Sequence, residues 1–201
     1  MDITWHGNTC FTFKSKTATL VMNPDKSIKT PLKGDVILNS IGEDTPLAEV
    51  KDVKKVFDWP GEYEISEIPI FGLSAWTRSR SKEEKGEKGD KTIIFCFEME
   101  KVKVCSLGGL GHKLTSEMID EIGDVDVLLV PVGDASNLKD KAEEVVDQID
   151  PRIVVLMGNS DPEKHAKEIG AQLGEKLEKL TITGSDKLPD AKREYVVLQK
   201  S

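Results

Sequence analysis

Histidine, cysteine and aromatic residues are all scarce in this chain, and each scarcity removes a class of chemistry. His6, His112 and His165 are the only histidines, and no spacing signature of a metal site joins them. Cys10, Cys96 and Cys105 are an odd number, widely spaced and without a C-x-x-C pair, so neither a disulfide framework nor a zinc ribbon is expected. All three lie in apolar, strand-like surroundings and read as inert core thiols. No apolar run is long enough to span a bilayer, and the opening MDITWHGNTCF has no basic segment followed by an apolar one. The expected location is therefore the cytoplasm. Lys and Arg total 28 against 36 for Asp and Glu, a net charge of −8, so long-range electrostatics repel nucleic acid and anionic membranes. A small ligand or a protein remains as the expected partner, its identity and the oligomeric state being beyond the sequence.

What is present is organised around residues 101–133. Val102, Val104 and Ser106 alternate as in a half-buried strand. Gly108, Gly109 and Gly111 turn the backbone, and Thr115 is placed to cap a helix that ends at Gly123. Val125 to Val132 is almost wholly apolar, as in a strand covered on both faces. The turn GGLGH matches neither the dinucleotide fingerprint nor the phosphate loop, and reads first as a tight structural turn.

Before it, Ile3–Trp5, Cys10–Lys14 and Thr17–Met22 predict an antiparallel meander. A loop over 26–34, a short strand at Val36–Leu38 and a breaker-rich stretch at 39–46 follow. Lys54–Phe57 and Tyr63–Leu73 resume strand character around Trp59-Pro60-Gly61. Arg78 to Lys91 is a charged run with no apolar residue, predicted to be a solvated loop. Thr92–Glu98 and Lys101–Ser106 predict a hairpin. Beyond the central segment come a helix carrying Leu138, Ala142, Val145, Val146 and Ile149, a buried strand at Ile153–Met157, and a helix opened by Asp161-Pro162 and closed at Gly174. Leu180–Thr183 and Tyr195–Leu198 close the chain as strands. The order predicts an α/β protein of packed sheets with helices outside.

Several of these stretches, in order and spacing, resemble the metallo-β-lactamase fold, in particular a branch of small cytosolic zinc-dependent hydrolases that includes ascorbate-phosphate lactonase-like proteins. Trp5-His6-Gly7-Asn8-Thr9-Cys10-Phe11 is similar to that branch's W-x-G-x-S-C-F, and Pro60 to Ile65 to its P-G-E-Y-E turn. Leu107 to His112 resembles L-G-D-L-G-H, and Gly123 to Leu128 with Pro131-Val132-Gly133 resembles G-x-V-D-hydrophobic-L followed by P-V-G. The resemblance implies one domain over residues 1–201, an αββα four-layer sandwich with the metal site along one edge.

It also implies where ligands would fall. The loop H-x-H-x-D-H falls on Ser40, Ile41, Gly42, Glu43, Asp44 and Thr45, and keeps only the aspartate. Three further ligand positions fall on Thr77, Gly109 and Gly158, and the aspartate of an early D-P pair on Asn23. Catalytic zinc normally takes three imidazole, thiolate or carboxylate ligands, which glycine, serine and threonine cannot supply. Neither a metal nor any other cofactor is therefore expected, and the sequence reads as a pseudoenzyme whose edge is reused for a ligand or a partner. The residual pocket candidates are Asn8, Asn23, Asp44, His112 and Asn159. A His6–His112–Asp44 cluster and a hydrolase with displaced ligands stay open as the alternative. Ser74, a cysteine paired with His112, and the acidic group Asp58, Glu62 and Glu64 are weaker candidates for nucleophilic or acid–base work.

Overall fold

The computed structural model describes residues 1–41, 46–77, 91–133, 136–158, 162–190 and 192–201. Alternation of apolar and polar residues builds the first meander: β1 (Asp2–Gly7), β2 (Cys10–Lys14) and β3 (Thr19–Met22) run antiparallel in sequence. After β4 (Leu32–Lys33), β5 (Val36–Leu38) lies parallel to β3; after β6 (Val50–Lys51), β7 (Lys55–Phe57) lies parallel to β5. The strand pair β8 (Gly61–Ile65) and β9 (Ile68–Trp76) follows, then β10 (Lys91–Met99) and β11 (Val102–Ser106). Helix α1 (Ser116–Ile122), β12 (Val127–Pro131), helix α2 (Ala142–Ile149) and β13 (Ile153–Met157) continue the chain; β14 (Leu180–Thr181) and β15 (Glu194–Val197) end it.

Strand β4 pairs with β6 in a separate two-stranded sheet, and two large sheets result, ordered β14-β1-β2-β3-β5-β7 and β15-β13-β12-β11-β10-β9-β8. Their facing surfaces interlock Ile3, Phe11, Phe13, Leu20 and Met22 with Phe95, Phe97, Val104, Leu129 and Val155, all buried. Phe13 and Phe97 meet edge to face at 4.9 Å. Each such side chain contributes roughly 1.5–3 kcal/mol by leaving water. The outer face of the second sheet, through Ile94, Leu128, Val130, Val154 and Leu156, takes up Ile122 of α1 and Val145, Val146 and Ile149 of α2. These two packed sheets, with helices over the second, are the arrangement that the family resemblance implies. On the outer face of the first sheet the covering layer is not helical among the described residues: Ile28 and Leu32, with Ala48 and Val50, close over Cys10 and Val21.

Where structure and expectation differ, local backbone explains it. The single strand predicted over Tyr63–Leu73 is a hairpin, turned at Ser66 and Glu67 with φ of 51° and 62°. The helix predicted to Gly174 is a 3₁₀ segment, Pro162–Ile169, because Gly170 adopts φ of 63° and ends it; Leu173 then bridges to Tyr195. The predicted α1 forms as read, with the Thr115 side chain accepting from the Met118 N–H and the Gly123 N–H donating to the Ile119 carbonyl. Most of the charged loop, residues 78–90, lies outside the described residues. No helix among the described residues is long and apolar enough to cross a membrane.

Candidate functional site

The parallel strands fix where chemistry can lie. β3, β5 and β7 share one direction, so Asn23, Ser40 and Asp58 follow their C-terminal ends on a common edge. β11, β12 and β13 are likewise parallel and send out Gly108-Gly109, Val132 and Gly158. The Ile93 N–H donates to the Ser40 carbonyl at 2.9 Å, and Asn8 bridges to Gly158, so the loops of the two sheets meet. Between them opens a groove of about 880 Å³.

Ser40, Thr77 and Gly109 all line this groove. Thr9, Asp58, Ser74, Lys91, Thr92 and Asn137 add hydroxyl, carboxylate, ammonium and amide groups. Two apolar side chains stand in water at its border: Trp59 is 57% exposed and Ile41 47% exposed. An exposed indole beside polar groups is a common ligand-gripping arrangement, since the ring supplies area at little entropic loss. Sequence reasoning missed Thr92 and Asn137, and took Trp59 as a turn residue beside the acidic group of Asp58, Glu62 and Glu64.

Beneath the groove runs a chain of hydrogen bonds. The Ser40 N–H and hydroxyl both donate to Asn23 Oδ1, at 2.8 and 3.0 Å. The Thr92 hydroxyl donates to the Ser40 carbonyl at 3.0 Å and accepts from the Gly109 N–H at 3.0 Å. Asn137 Nδ2 in turn donates to the Gly109 carbonyl at 3.2 Å. Asn23, Ser40 and Thr92 are nearly or wholly buried, so these bonds tie four loops together where water does not compete. Asn23 Nδ2 is buried and has no partner among the described residues.

The other expected residues fall in several places. Asn8, at φ of 50°, donates from Nδ2 to Asp25 Oδ2 and Ser27 Oγ. Burial alone raises the Asp25 carboxyl, but hydrogen bonds from Ser27 and Asn8 outweigh it and hold the group below the usual aspartate range. His112 Nε2 accepts from the Trp76 N–H at 3.3 Å, which places the proton on Nδ1, 2.7 Å from the Lys113 carbonyl. Both ring nitrogens are thus engaged by backbone. Gly158 has no room for a side chain, because a Cβ there would lie 2.6 Å from the Val132 carbonyl oxygen. Gly42, Glu43, Asp44, Thr45 and Asn159 lie outside the described residues.

The alternatives separate in space. His6 sits on β1 with Nε2 2.8 Å from the Thr12 hydroxyl, and burial lowers its pKa, whereas His112 is bonded to Trp76 and Lys113; Asp44, the third member of the expected cluster, lies outside the described residues. Ser74 lines the groove, whose described lining contains no histidine to act as its base. Asp58 lines the groove, whereas Glu62 and Glu64 line a second groove over the outer face of the second sheet, so the acidic trio is split. Cys105 lies 2.7 Å from Cys96 rather than beside His112.

A family profile described as a β-lactamase superfamily domain matches residues 2–158. The chain belongs to the metallo-β-lactamase superfamily. Within that superfamily it is similar to the crystal structure of a candidate Zn-dependent hydrolase from Thermotoga maritima, with 28% identity and a TM-score of 0.74 over 98% of this chain and 97% of that one. It is 26% identical over 177 residues to a UPF0173 protein of Pyrococcus abyssi (strain GE5 / Orsay), covering 78% of this chain and 82% of the relative. A candidate metal-dependent hydrolase from Parabacteroides distasonis shares the fold at 14% identity and a TM-score of 0.61, over 83% of this chain and 87% of its own.

Superfamily membership raises the question of zinc at the loop edge, where residues 42–45 of the metal loop lie outside the described residues and only the remaining positions can be weighed. Ser40 spends its hydroxyl proton on Asn23, Gly109 and Gly158 have no side chain, and Thr77 offers a neutral hydroxyl. Among the described residues no three His, Cys, Asp or Glu side chains come together to hold a metal ion. The residues described at this edge do not fit a zinc centre.

Proposed function

We propose that this superfamily member, of the small cytoplasmic lactonase-like branch with degenerate ligand motifs, is a binding module whose loop-edge groove takes a small ligand or a protein segment without zinc chemistry. The observation that carries the reading is the hydrogen-bond chain from Asn23 through Ser40 and Thr92 to Gly109. It ties the loops with neutral groups at positions where the family resemblance implies ligands. Exposed Trp59 and Ile41 beside Asp58 and Lys91 suit an occupant with an apolar face and groups of either charge.

The test is a fragment screen of acids, amines and planar aromatics, followed by amide and indole NMR shifts with a chelator present. Perturbations gathered at Trp59, Thr77, Thr92 and Asn137, and lost in Trp59→Ala, support the reading. Turnover of ester, amide or phosphodiester substrates that requires added zinc overturns it.

A second reading is a metal-dependent hydrolase using displaced ligands. The descriptions of the relatives from Thermotoga maritima and Parabacteroides distasonis favour it, and Asp44 is the one metal-loop ligand that the sequence keeps. Zinc-dependent turnover abolished by Asp44→Ala would establish it.

A further inference from the structure

The hairpin of β10 and β11 turns at Glu100 and Lys101, whose φ values are 54° and 64°. That two-residue turn sets the register so that Cys96 stands directly opposite Cys105. Opposed residues of an antiparallel pair have Cα atoms about 4.5–5.5 Å apart, inside the roughly 4.4–6.8 Å that a disulfide spans. Both thiols lie on the outer face of the sheet, with their sulfur atoms 2.7 Å apart. Their settings differ: Cys105 is fully buried, whereas Cys96 is half-buried and lines the second groove, a cleft of about 900 Å³ beside the end of α1. Glu62, Glu64, Glu98, Glu121 and Asp124 line that cleft, with Lys103 as the only basic group among its described lining residues.

We propose that Cys96 and Cys105 form a thiol–disulfide exchange site, entered from the acidic cleft by small cationic or neutral disulfides. Cys96 is the group a reagent reaches. Its thiol gives its proton to solvent, and the thiolate attacks one sulfur of the incoming disulfide, whose S–S bond breaks and releases one thiolate to be protonated. Cys105 then loses its proton and attacks the Cys96 sulfur, expelling the second thiolate. Two protein thiols are oxidised to one disulfide, and the incoming disulfide is reduced to two thiols. Burial, and then the neighbouring Cys96, push the Cys105 thiol well above the ordinary cysteine range, which suits it to the resolving step only. Cys10, buried in a separate cluster under Ile28 and Leu32, is pushed up to about 12 by burial and then by Asp25, and takes no part.

The test uses the reduced full-length protein and cystamine, a cationic disulfide, with oxidised glutathione as the anionic comparison. After reaction and unfolding, thiol counting is expected to fall from three to one, with peptide mapping showing a Cys96–Cys105 link and free Cys10. At low salt cystamine is expected to react faster, and the advantage to shrink as salt screens the carboxylates. Cys105→Ala is expected to stop at a mixed disulfide on Cys96. Three thiols surviving prolonged exposure, a link through Cys10, or a wild-type product left as the mixed disulfide would each overturn the proposal.

Discussion

Replacing Gly158 by alanine tests directly whether the loop edge can accept a side chain where the family resemblance puts a ligand. The added Cβ would lie 2.6 Å from the Val132 carbonyl oxygen, and ordinary contact begins near 3.4 Å, so that carbonyl would have to recede by about 0.8 Å. It belongs to backbone at the end of the β12–β13 ladder and cannot rotate away as a side chain would. Forcing extra volume into a packed site costs about 1–3 kcal/mol, and weakening a backbone hydrogen bond beside it adds about 1 kcal/mol. Restricting the unfolded chain returns about 0.4–1 kcal/mol. The net loss is about 1–3.6 kcal/mol, which in a chain of this size lowers Tm by between about 2 and 14 °C. The control is Gly109→Ala, where the new Cβ meets the Thr77 methyl and the Thr92 hydroxyl at 3.4 Å. There the change stays within about 0.5 kcal/mol. Calorimetry and urea unfolding of both variants give the comparison. A Gly158→Ala protein as stable as wild type would refute the reasoning.

Thr92→Val keeps the shape of the side chain but removes the hydroxyl between Ser40 and Gly109, leaving the Gly109 N–H without that acceptor. A loss of about 1–2 kcal/mol in urea unfolding is expected, with Thr92→Ser close to wild type. The Asp35 carboxylate accepts a hydrogen bond from Lys54 at 2.8 Å and one from the Thr19 N–H at 2.8 Å, and these hold it below the ordinary aspartate range. Its stabilising contribution is therefore present above the unfolded-state pKa and fades as pH falls through the lower folded value. Asp35→Asn is expected to lower the urea midpoint at neutral pH and to flatten its decline towards about pH 3.

Much of the fold was legible because its signals are local. The uninterrupted apolar runs of β12 and β13 and the Thr115 cap of α1 depend on neighbours in sequence, and the structure forms them as read. The tight turn between β8 and β9 was harder to read, since Ser66-Glu67 adopts positive φ without the Asn or Gly that usually marks it. The layer over the first sheet was illegible for a different reason: Ile28 and Leu32 show no periodicity, and only the folded chain brings them to Cys10 and Val21.

For the site, the sequence supplied Ser40, Thr77 and Gly109 as positions, and the structure gathers them at one groove. Thr92 and Asn137 could not be found, because a hydroxyl or amide becomes informative only when its partners are known. Trp59 was read as part of a turn. The Cys96–Cys105 pair was within reach, since the two lie equidistant from the turn of a hairpin already recognised, but reading each cysteine as a separate core thiol hid it.

Anomalous scattering at the zinc edge, from crystals grown with added zinc, bears most directly on the claim that neutral groups have replaced the metal. The account predicts no ordered peak among Ser40, Thr77, Gly109 and Gly158. A strong peak there, with three or more protein ligands within about 2.0–2.3 Å, would contradict it.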